Sequence, residues 1–109
     1  MTAMAGWLGE FEQIVLLAVL QLGDPYGVTV REEIRRRTGR AVSAGAVYTT
    51  LERLEARKLV TSHWGEPTSE RGGKRKRHYR MTPVGREALA RSYQAFRAMA
   101  RGAAAALEE

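Results

Sequence analysis

A run of basic residues leads without interruption into the start of a helix, and this junction constrains the fold more than any other stretch of the chain. Residues 68–82 read TSERGGKRKRHYRMT and carry six Lys or Arg side chains within ten positions. Residues 76–81 have the composition of a strand, and Thr82-Pro83 supplies a helix N-cap followed by a proline at the first helical position. A disordered linker or a nuclear targeting signal would not need to join a downstream element in this way. We therefore predict that the basic run forms a strand and its turn.

Two amphipathic helices are predicted near the N-terminus. The apolar spacing predicts a first helix over residues 10–22, which ends at Gly23-Asp24-Pro25 because proline cannot continue a helix. A narrower apolar stripe predicts a shorter second helix over residues 27–38, with Gly39 as its C-terminal stop.

The third predicted helix, over residues 44–58, has an unusually small exposed face. Ser43 is a good N-cap for it, and its core spacing is carried by Val47, Leu51 and Leu54. At about 100° per residue, Gly45, Thr49 and Arg53 fall on the opposite side. Glycine lets another molecule come close, arginine can bond to guanine, and the threonine methyl can touch thymine. This face predicts a helix that enters a DNA groove, and an ordinary solvated surface is the alternative.

Tyr48 lies at the margin of that face, about 100° from the core direction. One interpretation is that its ring packs while its hydroxyl reaches a phosphate, and the other is a half-buried core tyrosine.

Two strands, over residues 59–64 and 76–81, are predicted to form a hairpin with a long loop. In the register that we favour, Leu59, Thr61, Tyr79 and Met81 face inward, and the outward face carries Val60, Ser62, Trp64, His78 and Arg80. Like charges crowded on a ribbon repel one another, so a phosphate backbone is their natural counterpart. A basic hairpin directly after a small-faced helix is the arrangement of a winged helix-turn-helix.

The last helix is predicted to start at Thr82-Pro83 and to run for about 25 residues, or about 37 Å. Its apolar residues have the heptad spacing of paired helices: Leu89, Tyr93, Phe96, Ala100, Ala103 and Leu107. Because such a helix is longer than a small three-helix core can cover, we expect part of this seam to meet a second chain.

Composition and charge narrow the class of protein. The chain has 109 residues, 44% of them hydrophobic, which suits one compact domain. Its net charge of +6 is concentrated in the middle of the sequence. This distribution favours nucleic acid or an anionic membrane surface as the partner, and the alternative is a soluble domain that is merely basic. The early apolar run, Ile14–Leu20, is too short to span a bilayer, and no basic residue precedes Arg31. We expect a cytoplasmic protein without a signal peptide.

Side chains for catalysis or metal binding are scarce. The chain has one aspartate, Asp24, in a predicted turn, and two histidines, His63 and His78, on the predicted strands. They form no set of acid, base and nucleophile, so we do not expect an enzyme. The two imidazoles come near each other across the hairpin without a neighbouring carboxylate. We therefore predict solvated histidines, with no metal site and no cofactor.

Three stretches of the sequence resemble the PadR-like transcriptional regulators: LGEFEQIVLLAVLQLGDPYGVTVREEI, SAGAVYTTLERLEARKLV and GGKRKRHYRMTPVGREAL. The specific matches are Tyr26-Gly27, Ser-x-Gly-x-Val-Tyr at 43–48, Leu-x-Arg-Leu-Glu at 51–55 and Tyr-x-Met-Thr-x-x-Gly at 79–85. Lys58 stands where many relatives have Gly, and Thr49 where many have Pro. The second departure changes the face that reads DNA, so the operator need not match that of any relative.

The resemblance implies a mainly α protein with a small β-hairpin: a winged helix-turn-helix DNA-binding domain over residues 1–81 and a C-terminal dimerisation helix over 82–109. It implies a homodimer that binds a pseudo-palindromic operator in double-stranded DNA and usually represses. By position, it assigns recognition-helix contacts to Ser43, Tyr48, Thr49 and Arg53, and wing contacts to Arg75 and Arg77. Together with the reasoning above, the residues expected at DNA are Ser43, Gly45, Tyr48, Thr49, Arg53, Lys74, Arg75, Lys76 and Arg77.

Some relatives bind aromatic or drug-like effectors between the dimer helix and the winged domain. Trp7, Phe11, Tyr93 and Phe96 are candidates to line such a space, with plain packing in the dimer core as the alternative. For the protein as a whole, the main alternative function is a winged helix whose basic wing docks an acidic protein partner.

Overall fold

The computed structural model describes residues 6–67 and 75–108. The elements follow one another as α1 (Glu10–Leu22), α2 (Gly27–Thr38), α3 (Ala44–Ala56), β1 (Val60–Trp64), β2 (Arg77–Met81), α4 (Pro83–Ala100) and α5 (Ala104–Leu107). The mainly helical fold with one antiparallel hairpin is thus as predicted, and α1 and α2 have the predicted bounds. Among the described residues, no helix is long and apolar enough to cross a membrane.

The core lies where α1, α2 and α3 meet, and the hairpin and the first half of α4 close it. The fully buried side chains at its centre include Val15, Leu16, Val30, Leu51 and Leu54. Burying each of these contributes roughly 1.5–3 kcal/mol relative to leaving it exposed. This packing fixes α3 against α1 and α2, so its outer face is held rigidly.

The end of α3 sets the direction of the chain into the hairpin. Lys58 has a φ of 64°, in the left-handed region that favours glycine. Its N–H donates to the Glu55 carbonyl at 2.9 Å, and the Leu59 N–H donates to the Leu54 carbonyl at 2.9 Å. These two bonds form a Schellman motif, which satisfies the last carbonyls of the helix. A lysine therefore adopts the left-handed stop, and α3 ends at Ala56, two residues short of the predicted end.

The predicted inward and outward faces of β1 were wrong, whereas those of β2 were right. Val60 pairs with Met81, Thr61 with Arg80 and Ser62 with Tyr79. Val60 is buried together with Tyr79, and Thr61 is exposed beside Arg80. The error arose because Leu59 was counted as a strand residue; it lies in the turn after the left-handed Lys58, so Leu59 and Val60 are buried consecutively.

The start of α4 is clamped to the end of α3. The Thr82 hydroxyl donates to the Lys58 carbonyl at 2.8 Å and accepts from the Gly85 N–H at 2.9 Å. Gly85 lies so close to this turn that a Cβ there would be 2.0 Å from the Leu59 carbonyl oxygen. Only glycine fits at this position without moving backbone.

The predicted helix of about 25 residues is interrupted. The last turn of α4 ends at Ala100, and Gly102 has a φ of 87° before the short α5 begins. The 18 residues of α4 span about 27 Å instead of about 37 Å. Leu89, which we assigned to the dimer seam, is 4% exposed in the subunit's own core, and Ala103 and Leu107 lie beyond the break.

Candidate nucleic-acid interface

The outer face of α3 is small and open, as its sequence predicted. Ser43 caps the helix, with its hydroxyl oxygen accepting from the Ala46 N–H at 3.0 Å. Gly45, Thr49 and Arg53 are all exposed, and a Cβ added at Gly45 would meet nothing within 4 Å. The guanidinium of Arg53 makes no ion pair with the described residues. This face is free to approach another molecule closely.

Tyr48 packs against the first residue of α2. A Cβ added at Gly27 would be 2.3 Å from the Tyr48 Cζ and 2.7 Å from its hydroxyl oxygen. The side chain nevertheless stays 37% exposed. The ring therefore packs as a half-buried tyrosine does, and the residue still reaches the surface at the edge of the α3 face.

The hairpin forms a wing beside α3, and one cluster of side chains joins the two. Ser62 of β1 donates from its hydroxyl to Glu55 Oε2 of α3 at 2.6 Å, and Arg77 of β2 donates from Nε to Ser62 Oγ at 3.0 Å. The Arg77 guanidinium also lies 5.3 Å from the ring centroid of Trp64, an exposed residue of β1. Ser62 therefore joins the wing to the helix, Arg77 supports this contact from β2 with its guanidinium 3.8 Å from Glu55, and that guanidinium is still partly exposed toward solvent.

The remaining wing cations differ in their contacts. Arg75 is exposed and donates from Nε to the Gly65 carbonyl at 3.2 Å. Lys76 Nζ lies 5.0 Å from the Tyr26 ring centroid, a cation–π contact. Lys74, the fourth predicted wing contact, falls outside the described residues.

The opposite face of the hairpin is fixed to the connection between α1 and α2. A single antiparallel bridge pairs Tyr26 with His78, and the Tyr79 N–H donates to the Pro25 carbonyl at 2.8 Å. Asp24 Oδ1 lies 2.8 Å from His63 Nε2 and accepts from Arg80 Nε at 3.2 Å. The wing is therefore attached on both sides, to α3 and to this loop.

The prediction that the two histidines have no neighbouring carboxylate was wrong, because Asp24 lies beside them. His63 and His78 do pair across the hairpin, with ring centroids 5.5 Å apart, but a carboxylate lies beside them. Burial acts to raise the pKa of Asp24, and the hydrogen bonds from His63 and Arg80 outweigh it, so that this pKa is lowered. The described part of the chain holds no group of three such ligands placed to bind a metal ion. The cluster is accordingly an anchor of the wing.

A cleft of about 370 Å³ separates α3 from the wing. Tyr48 and Glu52 of α3 line one side, and the wing lines the other with Trp64, Arg75, Lys76 and Arg77. The predicted recognition helix and the predicted basic wing thus border one concave surface, where a single bound molecule can touch both.

Glu52 is a residue of this surface that the sequence reasoning overlooked. It is exposed, and it lies seven positions after Gly45, which at 100° per residue places it within about 20° of that glycine. The same helical projection that selected Thr49 and Arg53 would therefore have found it.

The apolar residues proposed for dimer or effector contacts are distributed along α4 and α1. Tyr93 and Phe96 are exposed, at 50% and 69%. A cleft of about 260 Å³ lies at Tyr93, lined also by Leu17, Leu20, Arg86, Leu89 and Ala90. Trp7, Phe11 and Phe96 are not part of that lining, so the four aromatic residues are not gathered around this cleft.

The sequence model of the transcriptional regulator PadR-like family matches residues 16–91, which is most of the chain. The chain belongs to the PadR-like family of transcriptional regulators. It is thus a transcriptional regulator and not an enzyme, with the winged-helix fold that DNA-binding proteins use. In this fold the hairpin is the wing, and α3 is the third helix of the helical core.

Two individual proteins are similar to this chain over most of its length. Transcriptional regulator Rv3488 of Mycobacterium tuberculosis is 38% identical over 78 residues, which are 72% of this chain and 68% of that protein. An uncharacterised 37.1 kDa protein in transposon TN4556 of Streptomyces fradiae is 35% identical over 79 residues, and these span 72% of this chain and only 21% of that protein.

Solved structures share the fold. A transcriptional regulator from Clostridium thermocellum superposes with a TM-score of 0.71 at 25% identity, covering 83% of this chain and 85% of its own. Bacillus subtilis PadR in complex with operator DNA superposes with a TM-score of 0.64 at 16% identity, covering 74% of this chain and 45% of that one.

Proposed function

We propose that this PadR-like protein is a repressor that acts as a homodimer on a pseudo-palindromic operator in double-stranded DNA. The observation that carries the proposal is the cleft shared by the wing and the edge of α3 at Tyr48 and Glu52, beside the small face of that helix. A duplex that receives α3 in its major groove brings its phosphate backbone to Arg75 and Lys76 at the same time. We propose that the regulator acts on this DNA as a cytoplasmic protein.

The two elements have different tasks in this proposal. Gly45 lets the backbone of α3 come close to the base edges, and Thr49 and Arg53 can bond or pack against them. The wing cations contact phosphates, which adds affinity for every duplex without selecting a sequence. The ties from Glu55 through Ser62 to Arg77 keep the two contacts at a fixed distance.

The dimer contact is proposed on the apolar surface of α1 and α4. Its exposed apolar side chains are Leu17, Leu20, Tyr93, Phe96 and Met99. An apolar surface of this kind on a small protein marks an interaction site. Two-fold symmetry then places the two recognition helices in half-sites about 34 Å apart, one turn of the duplex. The division into a DNA-binding part over 1–81 and a dimerisation part over 82–109 is part of this proposal.

An effector is proposed at the Tyr93 cleft, which is mostly apolar and borders the same surface. A small aromatic or drug-like molecule there would change how α4 meets a second subunit. Because the two half-sites must be held at a fixed spacing, such a change would alter operator affinity.

The test is selection of duplexes from a random pool, followed by binding titrations at several salt concentrations. We expect one palindromic sequence to be enriched. Arg53→Ala should alter the preferred sequence, and Arg75→Ala should weaken binding to all duplexes and reduce the salt slope by about one unit. Arg35→Ala removes the same charge from an exposed position of α2 that does not line the cleft, and it is the matched control.

The alternative, a wing that docks an acidic protein, predicts a different result. It would share the steep salt dependence but would select no duplex sequence. If the intact protein bound no duplex even at low salt, the proposed function would be wrong.

A further inference from the structure

Glu52 lies on the exposed face of α3, on the side that borders the wing. Its carboxylate makes no hydrogen bond or ion pair with the described residues. Glu55, three residues later, is by contrast occupied by Ser62 and Arg77. One carboxylate of the helix therefore positions the wing, and the other is left to face outward.

The position of Glu52 conflicts with a purely electrostatic contact to DNA. It borders the same cleft as Arg75, Lys76 and Arg77, and the Arg77 guanidinium is already bonded to Ser62 and lies near Glu55. A carboxylate that faced phosphates would be repelled by them. Toward the duplex, its placement is favourable where the DNA offers a hydrogen-bond donor.

The floor of the major groove offers such donors. Cytosine presents its N4 amino group there, and a glutamate oxygen accepts from it. The adenine amino group lies beside the N7 acceptor, which repels the second carboxylate oxygen. Guanine and thymine present acceptors at these positions. Cytosine is thus the base that matches an unpaired carboxylate best.

We propose that Glu52 is a specificity-determining residue that selects a C·G pair in each half-site by accepting from the cytosine N4 amino group. This inference rests on the proposed function, since it requires α3 to lie in the major groove. Glu52 is three residues after Thr49, about 4.5 Å along the helix axis. With about 3.4 Å per base pair, the selected cytosine lies one or two base pairs from the position that Thr49 contacts.

The test compares the wild-type protein, Glu52→Gln and Glu52→Ala in duplex selection and in competition titrations on the selected site. The wild type should prefer cytosine at one position of each half-site by about tenfold or more. Glu52→Gln should prefer adenine there, because a glutamine can bond to adenine N6 and N7, and Glu52→Ala should lose preference at that position alone. Affinity for unrelated duplexes should stay the same or rise, because a negative charge is removed. Glu32→Gln removes the same charge from an exposed position of α2 that does not line the cleft, and it should change nothing.

Two results overturn the inference. One is that both variants select the wild-type sequence at every position. The other is that they lose thermal stability and affinity for all duplexes equally, which would mean that Glu52 supports the fold. If the proposed function itself were wrong, the wild-type protein would select no duplex sequence. This outcome is distinct from the two results above.

Discussion

Replacing Gly45 by alanine is expected to stabilise the protein and to weaken its binding to the operator. The site is exposed on α3, and the added Cβ meets nothing within 4 Å, so the folded state accepts it without strain. Alanine restricts the unfolded chain more than glycine does and favours the helix by roughly 0.5–1 kcal/mol. Because Gly45 lies in the first turn, we expect the lower part of that range, about 0.5 kcal/mol, and a rise in Tm of about 2–4 °C.

The effect on DNA has the opposite sign. If the backbone at Gly45 approaches the bases closely, the new methyl group occupies space that DNA needs, and overpacking of this kind costs about 1–3 kcal/mol. We expect operator affinity to fall about tenfold, with affinity for unrelated duplexes within about twofold of the wild type. Circular dichroism melting at one fixed protein concentration and fluorescence anisotropy at one fixed salt concentration measure the two effects.

Gly85→Ala is the matched control, because the same chemical change should have the opposite effect on stability. Its Cβ would lie 2.0 Å from the Leu59 carbonyl oxygen, so the backbone of the turn would have to move, and we expect a loss of several kcal/mol in the free energy of unfolding. The reasoning is refuted if Gly45→Ala lowers Tm, or if it binds the selected operator as tightly as the wild type does.

Three further predictions concern residues that hold α3 and the wing in position. Lys58→Gly should stabilise the protein by about 0.5–1 kcal/mol in urea unfolding, because it relieves a left-handed φ of 64° at the cost of a more flexible unfolded chain; an unchanged or lower stability would contradict this. Gly27→Ala should destabilise the protein, because its Cβ would lie 2.3 Å from Tyr48 Cζ, and the loss should be smaller in a Tyr48→Ala background; strictly additive losses would argue against the contact. The pKa of Asp24 is lowered in the folded state, so its carboxylate stabilises the protein above its unfolded pKa of about 3.9, and this stabilisation is lost as pH falls through the folded pKa. Urea unfolding should therefore give a difference between wild type and Asp24→Asn that shrinks as the pH falls below about 5; a difference that did not shrink there would disprove the assignment.

The parts of the fold that the sequence predicted correctly depend on local signals. The helix α1 ends at Gly23-Asp24-Pro25 and α2 at Gly39, because Gly23 and Gly39 take up a positive φ after the last helical turn and proline cannot continue a helix. The wing beside α3 was predicted because the hairpin follows that helix directly.

The errors have physical causes in particular residues. The left-handed Lys58 moved Leu59 out of the strand, and with a side-chain period of two this inverted the predicted faces of β1. The heptad spacing continued through residues 101–103, although Gly102 breaks the helix there. The contacts of Asp24 with His63 and Arg80 join residues 39 and 56 positions apart, and no local pattern signals such contacts.

The central claim is that α3 and the wing contact one duplex from the same side of the molecule. Since the chain has no cysteine, single cysteines at Ala46 on α3 and at Glu66 next to the wing can each carry a DNA-cleaving reagent without background labelling. On the selected operator, we predict that both labelled proteins cut within the same half-site, at positions less than about one helical turn apart. Cleavage from only one of the two positions, or cuts separated by more than that turn, would contradict the claim.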